Sequence, residues 1–154
     1  MNVSIRRMTL EDVSTVHEID LLSFSLPWPE RSFRFELTEN PVSRCWVAES
    51  SGSITSMLVL WLIIDEAHIA TIATHPDFRR QGIGEQLMIA ALVSAREEGA
   101  AHAFLEVRAG NLGAIAMYEK YGFVVAGVRP RYYKDNNEDA NLMDLVDLNG
   151  LEAG

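Results

Sequence analysis

The period of apolar and polar positions changes several times along this chain, and each change marks an element. Val3 to Arg7 alternates, as a short strand does. Thr9-Leu10-Glu11-Asp12 is a capping signature, and Val13, Val16 and Ile19 follow at helical spacing towards Phe24. Ser25-Leu26-Pro27-Trp28-Pro29 breaks the chain, and Pro29 suits the first turn of a second helix through Glu39. Strands are expected over 43–49 and 54–64, joined by the Ser50-Ser51-Gly52-Ser53 turn, and a central strand follows the break at Asp65. The short turns make these strands antiparallel neighbours. From Gly82 the period is helical, with Ile83, Leu87, Ala91, Leu92 and Ala95 on one face and Gly99 placed as the C-cap. A buried strand over 102–107 comes next, and this strand–helix–strand spacing predicts a right-handed crossover and a parallel pair. Asn111 caps a last helix that carries Ile115, Met117 and Tyr118 and stops at Gly122. A final strand pair, 123–128 and 142–148, brackets a polar, aromatic stretch over 129–140. The predicted order is β-α-α-β-β-β-α-β-α-β-β, an α/β mixed sheet with a central parallel pair.

The length of 154 residues suits one domain, expected over 1–148 with a short C-terminal tail at 149–154. The longest apolar run, 57–64, is too short to span a bilayer. Arg6 and Arg7 stand where an export signal would have its apolar core, so a cytoplasmic location is expected. Cys45 is the single cysteine, which excludes an internal disulfide and a Cys-based metal cluster; it reads as a small apolar residue in a strand. The formal charge of −9 argues against broad nucleic-acid binding. The histidines, His17, His68, His75 and His102, show no metal-ligand spacing, and no metal is expected.

The stretch 67–84 carries the first candidate chemistry. A strand ending at Pro76 feeds a helix through Arg79-Arg80-Gln81-Gly82-Ile83-Gly84. The first N–H groups of a helix lack internal partners and sit at the positive end of its dipole, and glycines let a phosphate approach them. An ordinary strand–helix turn is the alternative. A P-loop is excluded because Glu85 and Gln86 follow Gly84 where Lys-Ser/Thr is needed. A dinucleotide fingerprint is excluded because its third glycine would fall on Leu87.

Glu106 lies at the end of an otherwise apolar strand, where a carboxylate is costly to bury unless paired or put to use. One reading is an ion pair with Arg108, two residues on; the other is a general base whose pKa burial raises towards the working pH. His68, on the central strand, is the rival base. Tyr118, two helical turns beyond Asn111, faces the same groove and is either a proton donor to a leaving group or a packed tyrosine. Tyr121, near the helix end, is the more natural core residue. Phe24 and Trp28 stiffen an elbow that serves either as a cleft wall or as core packing.

Arg-x-x-Gly-x-Gly at 79–84 resembles the acetyl-CoA pyrophosphate loop of the GNAT superfamily of N-acetyltransferases, and the element order is the GNAT order. Leu105-Glu106-Val107-Arg108-Ala109-Gly110-Asn111 and Ala114-Ile115-Ala116-Met117-Tyr118-Glu119-Lys120-Tyr121-Gly122-Phe123 look like the RimI-type branch, as do Pro27-Trp28, Arg131-Tyr132-Tyr133 and Glu138-Asp139-Ala140. That branch acetylates protein N-termini, its type member modifying an N-terminal alanine of a ribosomal protein. The resemblance implies Glu106 as general base and Tyr118 as general acid. It implies that Ile72, Ala73 and Thr74 hold the pantetheine arm. Arg79, Arg80, Gln81, Gly82, Ile83, Gly84 and Glu85 would hold the pyrophosphate, with Asn111 and Tyr118 also touching the cofactor. Phe24, Trp28, Tyr132 and Tyr133 would frame the peptide. Lys134 departs from the pattern, which often has proline there.

The expected activity is direct transfer of acetyl from acetyl-CoA to a protein α-amino group in a ternary complex. Acetylation of a small-molecule amine or a lysine side chain is the nearest alternative; a non-catalytic acyl-CoA-binding module is the alternative of another class. The expected partner is a protein N-terminus, a ribosomal protein among the candidates, with no nucleic acid or membrane, for a monomer or weak homodimer.

Overall fold

The computed structural model describes residues 2–152. Seven strands form one sheet in the spatial order β1 (Val3–Arg7), β2 (Ser43–Ser50), β3 (Ser53–Ile63), β4 (Glu66–Thr74), β5 (His102–Arg108), β7 (Glu138–Leu145) and β6 (Val124–Tyr133). Only β4 and β5 run parallel. Four helices cover the sheet: α1 (Val13–Ser23), α2 (Glu30–Thr38), α3 (Ile83–Glu97) and α4 (Leu112–Lys120). None of the described helices is long and apolar enough to cross a membrane.

β3 reads as an unbroken apolar run because both its faces are covered. Met57 and Val59 pack with Val13, Val16 and Ile19 of α1 and Phe33 of α2. Leu58 and Leu60 pack on the other face, against Leu87, Met88 and Leu92 of α3. The helical spacing of α1 therefore serves one half-core and that of α3 the other.

One irregularity shapes the sheet. Val59 pairs with Thr71 while Leu60 pairs with Ile69, so Ala70 is an extra residue in β4. A bulge of this kind bends its strand and increases the local twist. The parallel ladder joins only Glu66 to His102, Ala67 to Ala103 and His68 to Phe104. Past these pairs β4 and β5 diverge, and the facing edges of 69–74 and 105–108 bound a gap.

Several boundaries differ from expectation. Pro29 is the N-cap of α2, with extended backbone, rather than a residue of its first turn. The stretch 129–140 is largely strand: β6 runs to Tyr133 and β7 begins at Glu138, so only 134–137 turn. The polar, aromatic character of this stretch gives no strand signal, but β6 is an edge strand and polar side chains on an edge face water. Leu148–Gly150 form a short 3-10 turn, and Leu148 and Leu151 are buried. Arg96 of α3 donates to the carbonyls of both, at 2.9 and 2.6 Å.

Asp12 fastens the entry to α1. Its carboxylate accepts the Thr9 N–H at 2.7 Å and both terminal nitrogens of Arg6 at 2.8 and 2.9 Å. The hydrogen bond from Arg6 holds the Asp12 carboxyl below the usual carboxylate range. Asp12→Ala should cost about 1–2 kcal/mol at neutral pH, a figure reduced because Arg6 is partly solvated. A group with a depressed folded pKa stabilises above its unfolded value, and that stability is lost as pH falls through the folded value. Urea melts should therefore separate mutant and wild type at pH 7 and bring them together in strong acid.

Candidate active site

The gap between β4 and β5 is a cleft of about 590 Å³, walled by Ile72, Thr74, Glu106 and Arg108 and closed by the α1–α2 elbow and by Tyr118 of α4. Glu106 stands on β5 with its side chain 16% exposed. Its partner is His68: Nε2 lies 2.8 Å from Oε2 of Glu106. The imidazole is held on two sides, stacked on Phe104 at 4.3 Å and meeting Trp61 edge-on at 5.3 Å. Glu106 is pushed below the ordinary carboxylate range, chiefly by the His68 hydrogen bond, against an opposing effect of burial. This reverses the expected rise. Burial alone would raise the pKa, but a donor within hydrogen-bond reach of the charged form outweighs it. With Glu106 ionised, Nε2 of His68 is the donor of the pair.

Arg108 is not the partner of Glu106. Its guanidinium turns to the β6–β7 turn and bonds Asp135 at 3.0 Å and Glu138 at 3.2 Å. The Tyr133 ring lies beneath it at 4.0 Å.

Tyr118 is 5% exposed, against Phe123 and at the edge of the cleft. Burial pushes its phenol up to about 12. Tyr133, half-buried in the same cleft, is also raised to about 12 by burial. Tyr121, expected in the core, is only partly buried; its hydroxyl donates to Glu85 at 2.6 Å, and Lys120 pairs with the same carboxylate at 3.0 Å.

The glycine turn opens α3 without a side-chain cap. Gly82 takes a left-handed conformation, φ 75°, which a residue with a Cβ adopts only under strain. A Cβ on Gly84 would stand 3.1 Å from the Thr74 hydroxyl, and Gly84 is the one residue of the turn that lines the cleft. Ile83 is buried in the α3 half-core. Arg79 is occupied elsewhere: its Nε donates to the Thr74 carbonyl at 3.0 Å and its Nη2 to Ser23 at 3.2 Å. Arg80 and Gln81 are exposed beside Gly82. Asn111 caps α4, its side-chain oxygen accepting the Ala114 N–H at 3.2 Å, and it is one of the residues lining the cleft.

Both readings of the elbow hold for Trp28, whereas Phe24 is exposed and outside both half-cores. Trp28 packs on Phe33 and stacks with Trp61 while also lining the cleft; Phe24, Tyr132 and Tyr133 line it too. Asp20 fixes the elbow by accepting the Trp28 N–H at 2.7 Å, and its carboxyl is raised by burial. The sequence reading missed Asp20, Trp61 and Phe104, and it set His68 against Glu106 instead of beside it. Polar residues within apolar runs were the available signal for Asp20 and His68. A separate groove of about 670 Å³ over α2 is lined by Trp28, Phe35 and Trp61. Its one carboxylate, Glu36, is occupied by Trp61 and Asn40. Among the described residues no cluster of three His, Cys, Asp or Glu is placed to hold a metal.

A divided sheet with an uncapped helix N-terminus beside the division leaves unpaired backbone groups facing one cleft, and comparisons with known proteins place the fold in a family. The model of the Acetyltransferase (GNAT) family matches residues 13–123, and the chain belongs to that family. A putative [ribosomal protein bS18]-alanine N-acetyltransferase of Bacillus subtilis is 40% identical over 91% of this chain and 93% of its own. The [ribosomal protein bS18]-alanine N-acetyltransferase of Escherichia coli K12 is 32% identical, over 92% and 96%. The crystal structure of the E. coli ribosomal-protein-S18-alanine N-acetyltransferase superposes with a TM-score of 0.87, at 31% identity and 97% coverage of both chains. Ard1 from Thermoplasma volcanium also gives 0.87, at 31% identity over 96% and 99%. The protein is an acetyl-CoA-dependent N-acetyltransferase.

The turn supplies a direct test. Gly82→Asp and Gly84→Asp each place a side chain and a negative charge at the uncapped end of α3, and Gly84→Asp also crowds Thr74. Both should lose acetyl-CoA binding in calorimetry while keeping a cooperative melt. Unchanged affinity in a folded variant would show that this turn does not hold the phosphates.

Proposed function

We propose that the protein acetylates the α-amino group of a protein N-terminus, with Glu106 as base and Tyr118 as hydrogen-bond donor to the leaving sulfur. The observation that carries this reading is that Glu106, hydrogen-bonded to His68, lines the same cleft as the buried Tyr118. The activity of the B. subtilis and E. coli relatives makes a ribosomal protein N-terminus the first acceptor to try.

Acetyl-CoA supplies the thioester that is the acyl donor. The uncapped N–H groups of α3 receive its phosphates, and the open edge of Ile72, Ala73 and Thr74 receives its arm. With one carboxylate oxygen engaged by His68, the other oxygen of Glu106 is left to take the amine proton, directly or through a water. Tyr118 keeps its proton at neutral pH because its pKa is about 12. Complete transfer to a thiolate of ordinary pKa, about 8.5, runs uphill, so the phenol stabilises the departing charge by donating a hydrogen bond. Phe24, Trp28, Tyr132 and Tyr133 frame the acceptor.

Glu106→Gln should lower kcat on the order of a hundredfold or more, with acetyl-CoA affinity kept. His68→Ala removes the hydrogen bond that does most to depress Glu106. The acidic limb of kcat/KM against pH should then move to higher pH. A limb that stays in place would separate His68 from the base.

Only a neutral amine attacks a thioester. At pH 7 an α-amino group of pKa about 7.7–8.0 is roughly a tenth neutral, and a lysine of pKa about 10.4 is neutral in roughly one molecule in a few thousand. That gap is about 3.5 kcal/mol, and a carboxylate with a depressed pKa is a weak base with which to close it. A free N-terminal alanine peptide should therefore outrun an N-blocked lysine peptide at equal concentration. Faster acetylation of the lysine peptide would overturn the α-amino assignment and leave the family untouched.

A further inference from the structure

We propose that Arg108 is a positioning residue that clasps the β6–β7 turn to the α1–α2 elbow over the acceptor side of the cleft, so that an acceptor enters beneath it as an extended chain end. The inference rests on the acceptor chemistry argued above. All the partners of the guanidinium lie on those two segments. Nη2 reaches Asp135 at 3.0 Å and Ser25 at 3.4 Å; Nη1 reaches Glu138 at 3.2 Å and Asn136 at 3.3 Å. The Ser25 hydroxyl also donates to Asp135, joining segments 110 residues apart. Glu138 is fixed from behind by the Gly110 N–H at 2.8 Å.

Stability accounts for only part of this arrangement. The paired side chains keep 22–26% of their surface in water, which limits what they add to folding, and this turn ends an edge hairpin away from both half-cores. Position accounts for the rest. The β6–β7 register breaks between Arg129 and Tyr133, so residues 130–132 have no ladder partner in β7. Arg131 and Asn137 have left-handed φ values of 50° and 57°. Backbone pairing therefore does not set Tyr132, while Tyr133 regains a ladder partner in Glu138 and has the guanidinium lying over its ring at 4.0 Å. Ser25, Arg108, Tyr132 and Tyr133 all line the cleft that contains Glu106. The clasp joins the two walls between which the acceptor passes.

The test uses Arg108→Gln, Arg108→Lys, Ser25→Ala and Asp135→Asn, with melting temperature and acetyl-CoA affinity as controls. For a free N-terminal peptide, Arg108→Gln should raise KM about tenfold, the loss expected for a charge-assisted hydrogen bond, and change kcat much less. Arg108→Lys, which keeps the charge but not the fork, should fall between. The preference for α-amino over lysine acceptors should narrow in all four variants. Amide exchange over 131–137 should quicken without any acceptor present. A fall in kcat at unchanged KM, a lowered KM, or unaltered exchange would each overturn the clasp. Wild-type protein that acetylates no free N-terminal peptide would instead overturn the proposed function, and the exchange measurement would still decide whether Arg108 holds the turn.

Discussion

One extra residue in a central strand governs this molecule. Ala70 sits opposite no partner in β3, and the bend it introduces ends the β4–β5 ladder after three pairs. A parallel pair buried between helix layers would ordinarily leave no room for a ligand. Here the two strands separate within the core, and their unpaired backbone edges face each other across a cleft. Backbone groups in such a gap need partners, so the opening is a polar slot lined by strand edges. The remaining parts are placed around it: α3 starts at the open end of β4, Tyr118 reaches in from α4, and β5 carries Glu106 to the rim.

The His68–Glu106 pair depends on the same irregularity. His68 and Phe104 form the last rung of the ladder, and Glu106 is the next residue of β5 on that face. Carboxylate and imidazole meet at 2.8 Å because the strands are still close at this point and diverge just beyond it. Phe104 and Trp61 keep the imidazole from turning away. The consequence is a carboxylate that stays ionised and is a weaker base than burial alone would have made it. Such a base suits an amine that is already partly neutral in water.

Local signals made most of the elements legible: the capping residues before α1, the two half-core spacings of α1 and α3, and Asn111 at the start of α4. The Gly82 turn was legible because only glycine adopts its backbone freely. The site was legible residue by residue but not as a set of partners. Glu106 stood out as a charge in an apolar strand, yet its partner lies 38 positions away, and nothing in the spacing links the two. Arg108, two residues along, was the nearest cation by sequence and belongs to a different network. The bulge at Ala70 was invisible because alanine fits either pattern. The last strand pair was legible, but the extension of β6 to Tyr133 was hidden because an edge strand does not need the alternation that marks a half-buried one.

Cofactor side and acceptor side are built by different means, and this bears on where specificity resides. The proposed anion site is made of backbone: an uncapped helix start, a left-handed glycine and strand edges. Side-chain changes there alter little as long as no Cβ or charge intrudes at Gly82 or Gly84. The acceptor side is made of side chains on two irregular segments, the elbow and the β6–β7 turn, and neither is held by a continuous ladder. Its shape follows from a few polar contacts, with Asp20 fixing the elbow and Arg108 fixing the turn to it. Lys134 sits in that turn, at the position where the resemblance to the RimI-type branch leads to an expectation of proline. A lysine leaves the backbone freer than proline does, so the position of the turn rests more heavily on the Arg108 network. On the proposed reading, acceptor preference is therefore decided at the turn, while the strands and helices behind it hold the donor.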